Sequence, residues 1–244
     1  MGTRDLHVHT SFSDGSDSPE AMVQAALEAG LETVGITDHS YTFFDESYCI
    51  PKAQIPAYLA GISELKERYR GKIEVLCGIE QDYYSECSTR EYDYVIGSVH
   101  YLKLGAEYVP VDEDAETLLD AAKRYFDGDF YALAEEYYRI LADVVRKTGA
   151  DIIGHFDLIS KFIERTPLFD PMHPRYIAAW KAAADALLET GVPFEINAGA
   201  ITRGYRTECY PSRNIRSYLA SHGAVFVYGS DSHSAEALKK QIHD

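Results

Sequence analysis

Short apolar runs rich in β-branched residues alternate with longer helical patterns along the whole chain. Strands that alternate with helices form parallel sheets. Seven such strands, with no glycine-rich phosphate loop after the first, favour a closed or nearly closed α/β barrel over an open doubly wound sheet. The runs with the length and composition of strands cover residues 5–8, 33–37, 73–79, 94–99, 152–154, 192–196 and 225–228.

The segments between these strands carry helix signals. Ser18 and Pro19 predict a helix start, because serine caps a helix and proline fits its first turn, and Gly30 predicts its end. We see no linker and no shift in composition, so we expect a single domain over residues 1–244. From apolar residues with a 3.6-residue period and from capping residues, helices are predicted over residues 19–29, 55–69, 130–147, 174–190 and 212–222.

Composition argues against several kinds of partner. The formal net charge is −16, from 23 basic and 39 acidic residues, whereas binding along a nucleic acid relies on a basic surface. No run approaches the roughly 18 apolar residues that span a bilayer. The four cysteines form no Cys-x-x-Cys pair, and the first strand begins almost at Met1, with no secretory signal. We therefore expect a cytoplasmic protein that binds neither long nucleic acid nor membrane; its oligomeric state stays open.

Each predicted strand is followed by a polar side chain of a type that can bind a metal ion or take part in catalysis. His7 and His9 are two residues apart, so both project from one face of the first strand. Asp231 and His233 repeat this spacing after the last strand. The carboxyl ends of the strands in a parallel barrel meet at one face, where the active sites of this architecture lie. The other strands end at His39, Glu80, His100, His155 and Asn197.

The combined pattern predicts a catalytic metal centre, although a single histidine of this kind is more often a packed polar residue. The set offers nitrogen and oxygen ligands and no thiolate, which suits Zn²⁺, Mn²⁺ or Fe²⁺ in a catalytic role. Because these ligands exceed what one or two ions use, we expect three divalent ions. The predicted ligands are His7, His9, Asp14, His39, Glu80, His100, His155, Asp231 and His233.

The strand-end motifs resemble those of the polymerase and histidinol phosphatase (PHP) superfamily of metal-dependent phosphoesterases. Residues 94–100, 154–159 and 195–197 are similar to the histidinol-phosphate phosphatase branch in particular. The resemblance implies a distorted, seven-stranded, TIM-like (β/α)7 barrel. The motifs extend along nearly the whole chain and read DLHVHTSFSDG, GITDH, GIE, DYVIGSVH, IIGHFDLI, FEINAGAITRG, YPS and GSDSH.

The resemblance also implies how the ligands divide among three ions. The first ion is held by His7, His9, Glu80 and Asp231. Glu80 bridges to a second ion, which is also held by His100 and His155. The third ion is held by Asp14, His39 and His233, and Asp17 is near enough in sequence to compete with Asp14.

From this resemblance we expect hydrolysis of a phosphate monoester by attack of a hydroxide that bridges two metal ions. The predicted substrate is L-histidinol phosphate, hydrolysed to L-histidinol and phosphate in histidine biosynthesis. Arg203 is the candidate for clamping a phosphate oxygen, with Lys161 or Arg206 assisting. Asp231 and His233 are both candidates for proton transfer to the leaving alcohol.

Two connections are longer than a barrel needs, and we expect them to cover its mouth. The first spans residues 40–54 and is rich in aromatic residues, and the second spans residues 101–128 and carries many acids around a short helix. We expect the aromatic loop over residues 41–48, with acidic residues such as Asp157, to receive a cationic amine of the substrate.

Two departures from the branch pattern keep alternatives open. The branch has an arginine a few residues after its Gly-His-x-Asp motif, where this chain has Ser160 and Lys161. Lysine supplies charge but not the two-pronged geometry of a guanidinium. The chain also ends soon after His233, before the final helix expected to close the barrel. The alternatives are a PHP phosphoesterase for nucleotides or another small phosphate ester, and a non-catalytic metal-binding module.

Overall fold

The computed structural model describes residues 3–240 of the chain. Its main sheet contains seven parallel strands that pair in chain order, β1-β2-β3-β4-β7-β8-β9, and β5 and β6 form a separate antiparallel hairpin. The strands are β1 (Arg4–Asp5), β2 (Thr33–Ile36), β3 (Glu74–Asp82), β4 (Tyr94–Ser98), β5 (Tyr101–Leu104), β6 (Glu107–Pro110), β7 (Ile152–Ile153), β8 (Phe194–Asn197) and β9 (Phe226–Gly229).

The first and last strands of the main sheet meet at the carboxyl end of the barrel. Just beyond β1 and β9, Val8 pairs with Ser232 in a parallel bridge. The amide of His9 donates to the carbonyl of Ser232 at 2.9 Å, and the amide of Asp231 donates to the carbonyl of His7 at 2.8 Å. The predicted seven-stranded barrel is therefore confirmed, and its seam runs through segments that carry predicted metal ligands.

Some strand bounds differ from the predicted ones. β3 continues to Asp82, so Glu80 lies inside the strand and not after it. β1 contains only two residues, because side chains replace the ladder hydrogen bonds beyond it. The amide of His7 donates to Asp5 Oδ1 at 3.2 Å, and the amide of Val8 donates to Thr37 Oγ1 at 2.9 Å.

The helices confirm most of the sequence pattern. The prediction of one helix over 130–147 is wrong in detail, because the helix breaks before Asp143, whose carboxylate pairs with Arg146. No helix within residues 3–240 is long and apolar enough to cross a membrane. The helices are α1 (Pro19–Glu28), α2 (Ile55–Arg68), α3 (Ala115–Tyr125), α4 (Phe130–Leu141), α5 (Val144–Thr148), α6 (Pro174–Leu188), α7 (Gly199–Thr202), α8 (Arg213–Ser221) and α9 (Ala235–Lys240).

A helix follows the last strand, contrary to the expectation that the chain stops before one. This helix, α9, buries Leu238 and packs against α1. Asp17 Oδ2 accepts a hydrogen bond from the amide of Ala235 at 2.9 Å, which stabilises the start of α9. The carboxylate of Asp17 therefore has a structural partner away from the metal ligands.

The connection over residues 101–128 contains the predicted short helix, α3, and also the unpredicted hairpin β5–β6. Gly105 has a φ of 61° in the two-residue turn between the paired residues Leu104 and Glu107. Glycine adopts this conformation without strain, and two-residue turns of this kind join antiparallel strands. The hairpin projects from the carboxyl end of β4, beside the site.

Tyr94 lies in the barrel interior among buried aliphatic side chains. Tyr94 Oη donates to the carbonyl of Leu6 at 2.6 Å, across the barrel. Gly35 and Gly78 make room for this ring, because a Cβ at either position would overlap with it. Tyr94 is thereby fixed by a hydrogen bond and by two neighbouring strands.

Candidate metal centre

The nine predicted ligands come together at the carboxyl end of the barrel. His7 and His9 are completely buried. The other seven line a cavity of about 160 Å³, together with Asp112, Leu158, Lys161 and Arg203. These seven are Asp14, His39, Glu80, His100, His155, Asp231 and His233.

Glu80 is the centre of the cluster, and its two carboxylate oxygens face different histidines. The side chain is only 1 % exposed. Its Oε2 lies 2.9 Å from His39 Nδ1, 3.2 Å from His7 Nε2 and 3.5 Å from His9 Nε2. This oxygen therefore joins ligands that follow β1 and β2.

The other carboxylate oxygen of Glu80 faces the ligands that follow β4 and β7. Oε1 lies 2.8 Å from His155 Nε2 and 3.3 Å from His100 Nε2. Ser98 Oγ donates to the same oxygen at 2.6 Å, which fixes the rotation of the carboxylate. Glu80 is thus placed to bridge two ions, as the family resemblance implies.

A second carboxylate, Asp14, lies nearer the cavity mouth. Its Oδ2 is 3.1 Å from His233 Nε2. Its Oδ1 is 3.6 Å from both His9 Nδ1 and His39 Nε2. Asp14 therefore lies among the predicted ligands of the third ion, whereas Asp17 is bonded to the start of α9.

Three groups of ligand atoms each lie within 4.8 Å of one another and could hold an ion. His9 and His39 each belong to two groups, which differs from the division that the resemblance implies. Glu80 also belongs to two groups, and His155 and Asp231 belong to none of those found among the described residues, so the number of ions stays a prediction. The groups are His7–His9–Glu80, His39–Glu80–His100 and His9–Asp14–His39–His233.

Burial and neighbouring charges set the protonation of the cluster. Burial alone would raise the pKa of Glu80, but the imidazoles of His100 and His7 outweigh it and hold that pKa well below its ordinary value. Burial, together with the neighbouring imidazoles of His233 and His39, lowers the pKa of His9 to about 3. Glu80 is therefore ionised and His9 neutral, the forms in which both residues bind metal ions.

Buried polar atoms in the cluster fit a bound cation. Six of them have no hydrogen-bond partner within residues 3–240, namely His7 Nε2, His9 Nδ1, His9 Nε2, Glu80 Oε2, His100 Nδ1 and His155 Nδ1. An unsatisfied buried polar group costs about 1–3 kcal/mol. Nitrogen and carboxylate oxygen donors without thiolate are the set that Zn²⁺, Mn²⁺ and Fe²⁺ accept in open catalytic sites.

Two cationic side chains face the same cavity. Arg203 Nη2 lies 2.9 Å from Asp231 Oδ2, and its Nη1 lies 3.1 Å from His233 Nδ1. Lys161 Nζ donates to the carbonyl and to Oδ2 of Asp112, at 2.7 and 3.2 Å. The cavity therefore combines carboxylates and imidazoles with two cations suited to an anionic ligand.

Arg206 and Asp157, both expected to contact the substrate, are held by buried partners in the structure. Arg206 is buried, and it donates to Ser160 Oγ at 2.8 Å and to Asp157 Oδ2 at 3.3 Å. Glu208 accepts a further bond from Arg206 at 3.1 Å. Neither Arg206 nor Asp157 is among the described residues that line the cavity. Both belong to a buried ion-pair network beneath the segment that carries Lys161.

Several buried side chains that hold the ligands were not predicted as site residues. Asp82 Oδ2 accepts from the amide of His100 at 3.0 Å. Asp38 accepts from the amide and hydroxyl of Thr10, both at 2.7 Å. Glu195 contacts His7 and the backbone of His155, as described below. Asn197 and Glu195 were visible as polar residues ending a strand, whereas Asp82 was hidden by the predicted strand end at residue 79.

The fold and the site together define a class of protein. A parallel barrel that gathers imidazoles and carboxylates in one cavity at its strand ends is the framework of metal-dependent barrel hydrolases. The family model of the PHP domain matches residues 5–199, and the chain belongs to this family.

Known proteins resemble this chain over nearly its whole length. A probable histidinol-phosphatase from Deinococcus radiodurans is 30 % identical over 246 residues, covering 95 % of this chain and 86 % of that protein. A structure from Listeria monocytogenes, provisionally assigned as a histidinol phosphatase, has a TM-score of 0.82 at 20 % identity and covers 96 % of this chain and 97 % of that one. Histidinol phosphate phosphatase from Lactococcus lactis, solved with zinc, L-histidinol and phosphate, has a TM-score of 0.67 at 21 % identity, covering 98 % and 90 %. The two structures have the same fold as this chain.

Proposed function

We propose that the protein is a metal-dependent phosphomonoesterase that hydrolyses L-histidinol phosphate to L-histidinol and phosphate. The observation that carries the proposal is the cavity itself, in which Glu80 and the surrounding imidazoles lie beside the cations Arg203 and Lys161. The similar protein from Deinococcus radiodurans, which bears the name histidinol-phosphatase, supports this choice of substrate.

The nine predicted ligands would hold up to three divalent ions, of zinc, manganese or iron. When bound, such ions supply an activated water molecule and neutralise charge on the phosphoryl oxygens. Glu80 keeps its carboxylate between two sets of histidines, and Ser98 prevents its rotation. The chain thus contributes a rigid frame for this chemistry.

Arg203 is the proposed phosphate clamp. Its guanidinium is held by Asp231 and His233 but is about one-third exposed, at 31 % of the side chain. It therefore keeps N–H groups for substrate oxygens, in the planar geometry that suits two of them. Lys161, which lines the same cavity, adds a second positive charge.

Asp231 and His233 remain the two candidates for protonating the leaving alcohol. Asp231 is buried beneath Arg203, with Oδ1 3.3 Å from His9 Nε2. His233 is about one-quarter exposed at 26 %, and it contacts Asp14 and Arg203. Both side chains border the cavity in which the ester oxygen would lie.

An adjoining cavity of about 240 Å³ fits a cationic leaving group. It shares Asp14, His39, His100 and Asp112 with the first cavity, and no lysine or arginine is among the described residues that line it. Acidic and aromatic side chains attract the amine and imidazole of histidinol and disfavour an anionic nucleotide. The additional lining residues are Asp45, Ser47, Tyr48, Tyr101, Pro110 and Glu113.

Steady-state kinetics with zinc- or manganese-loaded protein test the proposal. We expect kcat/KM for L-histidinol phosphate to exceed that for AMP by about 30- to 1,000-fold, since two charge contacts of about 1–2 kcal/mol each distinguish the leaving groups. Glu113→Gln should lower kcat/KM for L-histidinol phosphate and leave p-nitrophenyl phosphate unaffected, because the latter has no cationic group.

The possible outcomes separate the competing functions. Faster hydrolysis of AMP than of L-histidinol phosphate would reject the substrate and keep the phosphomonoesterase. No hydrolysis of any of the three esters by metal-loaded protein would reject the enzyme and favour a non-catalytic metal-binding module.

A further inference from the structure

Glu195 is a buried carboxylate outside the predicted ligand set that contacts two of the ligands. It lies on β8 and is 1 % exposed. Its Oε1 is 2.6 Å from His7 Nδ1, and its Oε2 accepts from the backbone amide of His155 at 2.9 Å. One side chain therefore holds ligands that follow β1 and β7.

The contact with His7 determines which ring nitrogen is available to a metal ion. An ionised carboxylate only accepts hydrogen bonds, so His7 Nδ1 carries the proton. A metal ion binds only the neutral ring, whose lone pair then lies on Nε2. This atom faces Glu80 Oε2 at 3.2 Å and has no hydrogen-bond partner within residues 3–240. The second nitrogen of a metal-binding histidine is commonly held by a carboxylate in this way.

The surrounding side chains are arranged to keep Glu195 in place. Asn197 Nδ2 donates to Glu195 Oε2 at 3.1 Å and lies 3.3 Å from Asp231 Oδ2. Asn197 Oδ1 in turn accepts from the amide of Gly199 at 2.9 Å, which fixes the orientation of the amide. Gly229 on β9 is required beside this group, because a Cβ there would overlap with Glu195 Oε1.

We propose that Glu195 is a positioning residue that selects the Nε2-ligating tautomer of His7 and thereby controls affinity for the ion held by His7, His9 and Glu80. The outer group around Asp14 and His233 has no contact with Glu195 in the described structure, so its affinity is independent of this residue. The inference rests on the proposed metal-dependent function.

The variant Glu195→Gln tests this role with little change of shape. The amide oxygen must occupy the Oε2 position, because the His155 amide and the Asn197 side chain both donate there. The NH₂ group must then face His7 Nδ1, which has to accept. The proton moves to Nε2, and His7 can no longer bind a metal ion through that atom.

Zinc titration against a competing chelator measures the result. We expect the variant to bind one ion about 10- to 100-fold more weakly than the wild type, the cost typical of losing a ligand-orienting carboxylate. The remaining ions should bind as in the wild type. Asp157→Asn is the matched control, since Asp157 is equally buried but contacts Arg206 and Ser160 and no predicted ligand.

Nitrogen NMR of the histidine rings provides a readout that does not depend on the variant. In the zinc-loaded wild type, His7 should show a protonated Nδ1 and a zinc-bound Nε2. A zinc-bound Nδ1 would overturn the proposal, whether or not Glu195→Gln folds.

The outcomes distinguish this inference from the proposed function. A wild-type protein that binds no divalent ion would reject the metal-dependent function itself. Wild-type affinity at every site in Glu195→Gln would overturn the role of Glu195 alone. Equal losses in Glu195→Gln and Asp157→Asn would also overturn it, because they would reflect general destabilisation.

Discussion

Phe44 and Tyr108 stack face to face, with ring centroids 3.9 Å apart and ring planes only 3° from parallel. Phe44 belongs to the connection after β2, and Tyr108 belongs to β6 of the hairpin. A second tie links the same segments, because Tyr101 Oη donates to Asp45 Oδ2 at 2.7 Å. The two long connections therefore pack against each other and form one cover beside the site. Tyr48 belongs to this cover, and its ring centroid lies 4.9 Å from that of His39.

Replacing Phe44 by alanine should weaken the packing between the two connections that form this cover. An aromatic pair contributes about 0.5–1.5 kcal/mol beyond its buried area, so we expect KM for L-histidinol phosphate to rise roughly 2- to 10-fold. In limited proteolysis, the connection after β2 should also be cleaved faster than in the wild type. Phe43→Ala is the control, since the Phe43 ring is 55 % exposed and meets Tyr108 only edge-on. Equal effects of the two substitutions would contradict the role of the stack.

Replacing His100 by alanine should weaken one ion site and nearly abolish turnover. His100 Nε2 lies 3.3 Å from Glu80 Oε1, and Asp82 holds its backbone amide. Loss of an ion that stabilises phosphoryl charge costs several kcal/mol, so kcat should fall by about 100-fold or more. Metal analysis and steady-state kinetics measure both effects. His222→Ala, on the exposed end of α8, should match the wild type, and a fully active His100→Ala would refute the role.

Much of the site was predictable because its ligands follow strands in the sequence. His39 comes just after β2 and His155 just after β7, so the parallel arrangement alone brings them to one face. The roles of Glu195 and Arg206 could not be predicted in this way. Glu195 meets His7 across 188 residues, and Arg206 meets Ser160 across 46. Spacing in the sequence does not report which of several distant partners a charged side chain will have.

The same limit applies to secondary structure. The helices bounded by Ser18 and Ser212 were predictable from capping and periodicity, which act within a few residues. The end of β1 was not, because it depends on Thr37 replacing a ladder hydrogen bond from the neighbouring strand. Glu80 lies inside β3 for a related reason, since pairing with β4 continues through Asp82.

Arg203 and Arg206 should respond differently to substitution, although both follow β8. Arg203→Ala removes the proposed phosphate contact, and a charged hydrogen bond of about 1.5–3 kcal/mol predicts a roughly 10- to 100-fold fall in kcat/KM. Arg206→Ala leaves the buried Asp157 carboxylate without its cation, which should lower the free energy of unfolding by about 3–5 kcal/mol. Kinetics and urea unfolding separate the two effects. The reverse pattern would assign substrate binding to Arg206.

Metal removal should destabilise the fold, and the barrel seam most of all. His7 and His9 follow β1, whereas Asp231 follows β9, so ions held between them cross-link the first and last strands. Zinc at 100 times its dissociation constant stabilises the folded state by about 2.7 kcal/mol per site. Urea unfolding in chelator and in buffered zinc should show this difference, and equal free energies would mean that no cation binds the folded protein.

Hydrogen exchange locates this stabilisation within the barrel. The amides of His9 and Asp231 donate across the seam to Ser232 and His7. These amides should exchange faster when chelator removes the ions, because the seam then opens without global unfolding. The amide of Glu74, which donates to the carbonyl of Glu32 at 2.9 Å at the other end of the barrel, is the internal control. Uniform acceleration at all three amides would mean that the ions stabilise the barrel as a whole and do not clamp its seam.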